Sequence, residues 1–448
     1  MIPKKPRITI MFLILVSSLL WPDLRGGVVQ AAPPVQRTVL PNGLVLLVSQ
    51  EHSLPLVTFH LLIDAGSRKD PEGQEGLAYL TARGILLGTS GHTATAINEE
   101  VDFMGASLTS SATRDYTTLS LRVLRKDLEK GFDLFMEALT RSTFPGEEIR
   151  REVKEALAAI QSAEERPMAV AEKAFRRALF LDSPYGHPVE GTKESLPPLT
   201  REAMVGFFKT YYHPNNAILT VVGDVSAEDV KAKLIPGLTK WPMGEIPNER
   251  FPIIFAKGPS TEKIDRDIAQ ANIIIGNEGV NRENPDYYAL TVMNYILGGG
   301  GFSSWLLEEI RVKRGLAYSV VSFLDPGKYP GSFQIVLQTK NSSAREAISL
   351  SLEQMERIRR ELVSEKELEV AKKYLIGSFP LRLDSQEKLA NFLTQVEYYG
   401  LGLEYPEKYP FLIRSVTQEE VLRVAKTYLH PEKHILVVVG SPKEMGID

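Results

Sequence analysis

The feature that most constrains the fold is an internal repeat, in which segments recur after an interval of 217 residues. Three pairs of segments match at this interval: KTYYHP at 209 with KTYLHP at 426, AILTVVG at 217 with HILVVVG at 434, and EEIRREV at 147 with SEKELEV at 364. Agreement at one interval in three places indicates two structurally similar halves rather than one large domain.

The alternation of strand-like and helix-like segments predicts the fold class of each half. Asn42-Gly43 supplies a hairpin turn, and Leu56–Gly66 is an apolar strand. Glu75–Thr89 has apolar residues at helical spacing. We therefore predict an α+β protein in which helices pack on mainly antiparallel sheets, twice over.

The segment between the two halves is rich in residues that interrupt regular structure. Residues 241–259 contain four prolines and two glycines, so we predict a linker there. This places an N-terminal domain at residues 32–240 and a C-terminal domain at residues 260–448. Residues 1–31 are left out of both.

The N-terminal residues have the order of a secretory signal peptide. Three basic residues among the first seven precede the apolar run Ile8–Trp21, and small residues follow up to Ala31. The run is short for a membrane span, so residues 1–31 predict an exported protein, with the periplasm as its compartment. The alternative is an uncleaved N-terminal anchor, because the stretch after the apolar run is long for a cleavage region.

Composition excludes several classes of function. The chain has no cysteine, which rules out a disulfide scaffold, a thiolate zinc site and a cysteine nucleophile. The formal net charge of -4 argues against a basic surface for nucleic acid, so no nucleic-acid partner is expected. Seven histidines could still build a metal site, and their positions decide the question.

Several segments together resemble the insulinase, or pitrilysin-type (M16), family of zinc metallopeptidases, and more narrowly its two-domain bacterial members related to mitochondrial processing peptidase. They are the LPNGL hairpin, Ala65–Ala78, Phe207–Asp224 and Tyr295–Val320, within a resemblance that extends over about residues 36–440. The resemblance implies two homologous domains of the LuxS/MPP-like metallohydrolase type in a clamshell arrangement.

The zinc motif of this family, H-x-x-E-H, is replaced at every position. In the family, two histidines on one helical face and a glutamate from a later helix bind zinc, and the glutamate of the motif activates the bound water. Here Tyr79 and Arg83 stand at the histidine positions. Ala82 replaces the base and Ala159 the third ligand. Arg83 puts a permanent positive charge where a cation would bind. The resemblance therefore implies that this chain binds no metal or other cofactor and that a partner carries the zinc.

The second half keeps a pair of residues that the family uses in catalysis. In active single-chain relatives an arginine and a tyrosine seven residues apart bind the substrate backbone and stabilise the oxyanion. The segment R-V-K-R-G-L-A-Y preserves both, as Arg311 and Tyr318. A guanidinium donates in a charged fork, and a nearby hydroxyl adds a neutral donor. The alternative is a solvated helical arginine and a tyrosine in the core of a strand.

A run of glycines follows the helix before this pair. Its members Gly298, Gly299, Gly300 and Gly301 match a turn common to the family, and we interpret them as a flexible helix entry, with a contribution to substrate binding as the alternative. The run lacks the Lys-Ser/Thr ending of a phosphate-binding loop.

One pair of histidines imitates a metal motif. His430 and His434 are four residues apart, but Pro431 prevents them from sharing a helical face. The repeat aligns His430 with His213, which predicts a helix-to-strand turn and no metal site.

These observations predict the non-catalytic subunit of a heterodimeric exported zinc metallopeptidase. It would pair with a homologous H-x-x-E-H chain, bind peptide substrate and supply Arg311 and Tyr318 in trans, and it would be inactive alone. Contact with a membrane is expected only through the N-terminal segment. The alternative is a peptide-binding or assembly scaffold with no peptidase activity.

Overall fold

The computed structural model describes residues 34–248 and 251–446, and the predicted signal segment, residues 1–31, lies outside these ranges. The first half contains the strands β1 (Val35–Val39), β2 (Val45–Gln50), β3 (Leu56–Ile63), β4 (Ser107–Ala112), β5 (Thr117–Leu124) and β6 (Ala217–Gly223). Its helices are α1 (Leu77–Gly84), α2 (Ala94–Phe103), α3 (Leu128–Thr140), α4 (Gly146–Glu164), α5 (Pro167–Phe180), α6 (Arg201–Tyr211), α7 (Ala227–Asp229) and α8 (Ile235–Leu238).

The second half is built from a similar series. Its strands are β7 (Ser260–Asp265), β8 (Gln270–Glu278), β9 (Ala317–Asp325), β10 (Ser332–Lys340) and β11 (Ile435–Gly440). Its helices are α9 (Tyr287–Asn294), α10 (Ala344–Arg360), α11 (Glu365–Ser378), α12 (Gln386–Tyr398), α13 (Tyr405–Arg414), α14 (Gln418–Tyr428) and α15 (Pro442–Met445). Two π-helical turns, Tyr295–Gly299 and Leu307–Val312, lie between α9 and β9.

The strands form two sheets with matching topology. The order in the first sheet is β1-β2-β6-β3-β5-β4, and the order in the second is β7-β11-β8-β10-β9. Strands β6 and β11 hold the same place, because each runs parallel to one neighbour (β2 or β7) and antiparallel to the other (β3 or β8). The remaining pairs of described strands are antiparallel. The predicted α+β class with mainly antiparallel sheets is confirmed.

The sequence repeat corresponds to repeated structure. The KTYYHP and KTYLHP segments end α6 and α14, and the apolar segments that follow them form the central strands β6 and β11. The third pair of matching segments lies at the start of α4 and α11. The described residues of the predicted linker, 241–248 and 251–259, form no helix or strand.

The two halves exchange one helix each. One face of each sheet packs against helices of its own half. The other face of the second sheet is covered by α5 of the first half, through Phe175 against Ile274 and Val437. Helix α12 of the second half covers β3 and β6 of the first sheet in the same way, and the hydroxyls of Thr220 and Thr394 hydrogen-bond there at 2.7 Å.

Helix α1, which carries the replaced zinc motif, is shorter than the sequence predicts. It was expected over Glu75–Thr89 but occupies Leu77–Gly84. It begins after Gly76, whose φ of +97° is not helical, and it ends where the N–H groups of Leu86 and Leu87 bond the carbonyls of Arg83 and Gly84 in tighter turns (3.2 and 3.1 Å). No helix of the two described ranges is long and apolar enough to cross a membrane.

Candidate functional site

The replaced zinc positions lie on α1, whose N-terminus is fixed by a buried carboxylate. Asp70 accepts hydrogen bonds from the backbone N–H groups of Gly76 (2.8 Å) and Ala78 (2.7 Å), which satisfies free donors of the helix. Burial raises the pKa of the Asp70 carboxyl to about 8, although both backbone donors oppose that shift. The start of the helix is therefore held in place although its chemistry has changed.

Arg83 is neutralised within the first half. Its guanidinium forms an ion pair with Glu152 of α4 and lies 5.6 Å from the centre of the Tyr79 ring. Burial alone would lower the pKa of Arg83, but the hydrogen bond to Glu152 and the charges of the groups around it together outweigh burial, and the pKa is raised. Burial raises the pKa of the Tyr79 hydroxyl, because the charged form of a phenol is the deprotonated one. The two histidine positions thus hold a cation and a neutral phenol that contact each other.

The residues at these positions do not fit a zinc ion. A guanidinium keeps its charge and offers no lone pair, and alanine offers no ligand atom. Ala82 is fully buried in the core rather than facing a site. Among residues 34–248 and 251–446, no three His, Cys, Asp or Glu side chains are grouped closely enough to hold a metal ion.

A cavity of about 890 Å³ lies beside the replaced motif, and both Tyr79 and Ala159 line it. Arg114 and Arg176 line it as well, and both bind one carboxylate, Asp325 of the second half, at 2.6 and 3.1 Å. The cavity beside the replaced motif therefore holds two arginines that are themselves paired with a carboxylate. The structure brings two of the four predicted positions to the cavity, while Ala82 lies in the core and Arg83 pairs with Glu152.

Arg311 and Tyr318 are brought together by a glycine-terminated helix. Arg311 lies in the second π-helical turn, and Gly315, with a φ of +64°, reverses the chain into β9. The N–H of Gly315 donates to the carbonyl of Arg311 at 2.9 Å, and the N–H of Leu316 donates to Ile310 at 2.9 Å. The guanidinium carbon then lies 4.9 Å from the centre of the Tyr318 ring.

A β-bulge exposes Tyr318. Ser319 pairs with Gln338 of β10, but Ala317 pairs with Thr339, so Tyr318 has no partner in the register. An extra residue of this kind re-aims its side chain, and Tyr318 is 80% exposed at the edge of the sheet. The alternative that Tyr318 lies in the core of a strand is therefore wrong.

Phe302 completes the arrangement. Its ring centre lies 5.0 Å from the guanidinium carbon of Arg311, and the ring is 72% exposed. Arg311 is therefore held against two exposed rings, which we call the Phe302–Arg311–Tyr318 stack. Within the described residues its guanidinium has no hydrogen bond or ion pair, so its donors are available to a ligand.

The glycine run places this stack. A Cβ at Gly298 would lie 2.7 Å from the backbone nitrogen of Ser322, so only glycine allows the π-helical turn to approach β9. Asn294 fastens the same contact, because it accepts from the Ser322 hydroxyl at 2.8 Å. Gly299 and Gly300 continue the turn, and Gly301, with a φ of +55°, leads into Phe302. These contacts favour the helix-entry interpretation, and a role in substrate binding stays a prediction.

The histidines of the imitated metal motif lie in a turn, as the repeat predicts. His430 follows α14 and contacts Glu432 at 3.3 Å, and His434 precedes β11 and contacts the carbonyl of Pro431 at 2.6 Å. His213 occupies the matching turn between α6 and β6.

Two residues of these sites were missed by the sequence reasoning. Glu152 lies seven residues before Ala159, a helical spacing that puts both on one face of α4, and this spacing could have identified it. Phe302 carried only a weak signal, an apolar residue directly after four glycines.

Comparisons with known proteins agree with this description. The sequence profile of peptidase family M16 (insulinase) matches residues 45–193, and the profile of the peptidase M16 inactive domain matches residues 198–375. An uncharacterized zinc protease of Streptomyces coelicolor is 28% identical, over 92% of this chain and 90% of that protein. A probable mitochondrial-processing peptidase subunit beta of Arabidopsis thaliana is 26% identical, over 93% of this chain and 80% of that protein.

A solved structure extends the likeness to three dimensions. The crystal structure of a peptidase M16 inactive domain from Pseudomonas fluorescens has a TM-score of 0.85 and 28% identity, covering 91% of this chain and 98% of that chain. The matched profiles together cover strands of both sheets, leaving β1 and β11 outside the matched residues, and the topology repeats between the sheets. This chain belongs to the insulinase (M16) family of peptidases, as a member that lacks the zinc motif.

Proposed function

We propose that this chain is the non-catalytic subunit of an exported heterodimeric zinc peptidase and that it supplies Arg311 and Tyr318 to the active site of a zinc-bearing M16 partner. The observation that carries the proposal is the Phe302–Arg311–Tyr318 stack, in which a half-buried cation lies against two exposed rings and has no polar partner among the described residues. At the replaced zinc motif, by contrast, Arg83 is already paired with Glu152.

The geometry of the stack suits stabilisation of a developing negative charge. Arg311 offers several N–H donors, and the Tyr318 hydroxyl adds a neutral donor on the ring that contacts the guanidinium. Contacts with two rings limit the movement of the guanidinium, so little conformational freedom is lost when it binds the oxyanion of the cleaved peptide bond. The partner supplies the attacking water, and this chain supplies donors and peptide-binding surface.

The test is co-expression with an H-x-x-E-H homologue, followed by copurification and turnover of a quenched fluorescent peptide. We expect a stable complex that is active, whereas this chain alone is inactive and binds no stoichiometric zinc. Arg311→Ala should lower kcat by about 10²–10³-fold, the range for loss of one oxyanion donor. Arg311→Lys keeps the charge but loses the forked geometry of the donors, so its kcat should lie between that of the unchanged chain and that of Arg311→Ala.

A neighbouring arginine is the matched control. Arg314 lies three residues on and is paired with Glu309, so Arg314→Ala should leave turnover unchanged. Unchanged turnover of Arg311→Ala would refute the role in trans. Failure to copurify with any zinc-bearing homologue would instead favour the assembly scaffold.

A further inference from the structure

A second cavity, of about 400 Å³, lies on the second half at a distance in sequence from the proposed catalytic pair. It is bounded by the loop before α9, the 3₁₀ turn Phe379–Arg382, one face of α12 and the start of α13. Its lining residues include Arg282, Tyr287, Arg382, Lys388, Asn391, Gln395, Tyr399 and Tyr405. Neither the proposed role in trans nor the family resemblance uses this cavity.

The charge of the lining is one-sided. Arg282, Arg382 and Lys388 all line the cavity, and no aspartate or glutamate does. Lys388 reaches Asp384 outside the lining at 2.7 Å, but both side chains are about half exposed, so water screens that pair. In the described part of the chain, neither Arg282 nor Arg382 has a carboxylate partner. Cations that converge without counter-charges create a positive potential in the cavity.

Arg282 is held in place without its charge being neutralised. Its guanidinium carbon lies 3.8 Å from the centre of the Tyr287 ring, and one nitrogen donates to the hydroxyl of the buried Tyr405 at 2.7 Å. Its backbone N–H donates to the carbonyl of Gly327 at 2.9 Å. Ring stacking offsets part of the cost of burying the cation. The remaining donors of the fork are pre-oriented for an acceptor, as binding of an oxyanion requires.

Helix α12 contributes a polar stripe to the cavity. Lys388, Asn391 and Gln395 follow one another at helical spacing on the face that lines it, and aromatic side chains form the walls beside them. The opposite face of α12, with Leu389 and Leu393, packs on the first sheet. The amides can hydrogen-bond the polar part of a ligand while the rings contact its apolar part.

From these observations we propose that the cavity binds a small organic anion, a carboxylate or phosphate group carried on an aromatic or apolar body. The volume lies within the range of small-molecule sites and is too small for a folded partner. The forked donors of arginine match the oxygens of a carboxylate and of a phosphate equally, so the site would recognise both groups by the same hydrogen bonds. The proposal does not depend on the role in trans.

The test uses isothermal titration of the purified chain with three probes of similar size. N-acetyl-phenylalanine presents a carboxylate, phenyl phosphate presents a phosphate, and N-acetyl-phenylalanine amide is the neutral match of the first. We expect one site per chain for at least one anion, about tenfold tighter than for the amide. Binding should weaken as salt is raised. The anion that binds identifies the source, either a peptide end or a phosphate ester.

The matched variants remove two exposed charges each. Arg382→Gln with Lys388→Gln should weaken anion binding about tenfold or more, while both residues are exposed enough to change without unfolding. Lys366→Gln with Lys426→Gln removes the same charge from exposed positions that do not line the cavity, and it should change nothing. Absence of binding by both anions, equal binding of the amide, or equal loss in the two double variants would overturn the proposal.

Discussion

The replaced zinc site and the Phe302–Arg311–Tyr318 stack both place an arginine beside aromatic rings, yet the two arginines differ in one respect. Arg83 is neutralised by Glu152 and contacts Tyr79 from a position within the first half. Arg311 contacts two exposed rings at the edge of the second sheet and has no ionic or hydrogen-bond partner among the described residues.

A ligand gains more binding energy from an unpaired arginine than from a paired one. A paired arginine must lose its partner before it can bind an anion, and that exchange yields little. An unpaired arginine that is already oriented loses little freedom on binding. The first half has therefore kept the helix of the motif without metal ligands, and the second half holds an arginine whose donors have no partner among the described residues.

The strongest test of this comparison restores the ligands of the first half. Tyr79→His, Arg83→His and Ala159→Glu together should give about one zinc per chain by elemental analysis, because positions 79 and 83 are one turn apart on α1 and Ala159 lines the same cavity as Tyr79. Glu152 would be left to accept a hydrogen bond from one histidine ring. Structural zinc sites of small peptides bind with about 10–16 kcal/mol, so zinc binding by a restored site is the largest effect expected here.

The control for restoration keeps the guanidinium. Tyr79→His with Ala159→Glu should bind no stoichiometric zinc, because Arg83 still places a positive charge at the site. Absence of zinc in the triple variant would mean that α1 and α4 have diverged in geometry as well as in sequence.

A second test compares the two sheet faces that are covered by a helix from the opposite half. His60 of β3 lies opposite Thr220 in the register, under α12, and its ring contacts the Ser120 hydroxyl at 2.8 Å. Burial lowers the pKa of His60 from 6.5 to about 4. Between these values the unfolded chain takes up a proton that the folded chain refuses, so stability falls as pH drops from 6.5 to 4. The loss should reach up to about 3 kcal/mol in urea unfolding.

The test variant and its control carry the same substitution at two different histidines. His60→Gln should remove this part of the pH dependence, whereas His52→Gln, at an exposed position, should keep it. The corresponding face of the second sheet presents Ile274, Val437 and Val439 to α5, and these three side chains do not titrate. An unchanged pH profile in His60→Gln would show that α12 does not exclude water from this face.

The sequence predicted the duplicated fold better than the contacts between its halves. The repeat located β6 and β11, because a central strand after a helix needs a long apolar run. It could not show that α5 and α12 pack on the sheet of the opposite half. An apolar helical face predicts that the helix is buried on that side, but it does not predict which element packs there.

The sites show the same limit at the level of single residues. The loss of zinc ligands at Tyr79 and Arg83 was readable from spacing, since the chemistry depends on residue type. The exposure of Tyr318 depends on a bulge, and the residues of one strand do not by themselves determine the register in which it pairs. The pairing of Arg83 with Glu152 depends on the packing of α4, which the amphipathic pattern alone leaves open.

A smaller effect should separate the hydroxyl of Tyr318 from its ring. In the complex with a zinc-bearing partner, Tyr318→Phe keeps the ring against Arg311 but removes a neutral donor, so kcat/KM should fall about tenfold. Tyr374→Phe is the matched control, because Tyr374 is 56% exposed on α11 and belongs to neither site. A loss as large as that of Arg311→Ala would mean that the hydroxyl, rather than the cation, carries the stabilisation.

The smallest effect concerns the ion pair that closes the first site. Arg83→Ala leaves Glu152, which is 7% exposed, without its partner, and an unsatisfied buried charge destabilises the fold. Water can reach the 41% exposed arginine side of the pair, so the expected loss is only about 1 kcal/mol in urea unfolding. Arg122→Ala, which breaks a 3.5 Å pair with Glu387 between two exposed side chains, should cost clearly less.

If Arg83→Ala and Glu152→Ala proved additive in the double variant, the pair would not be coupled. Arg83 would then be as free as Arg311, and the contrast between the two sites would disappear.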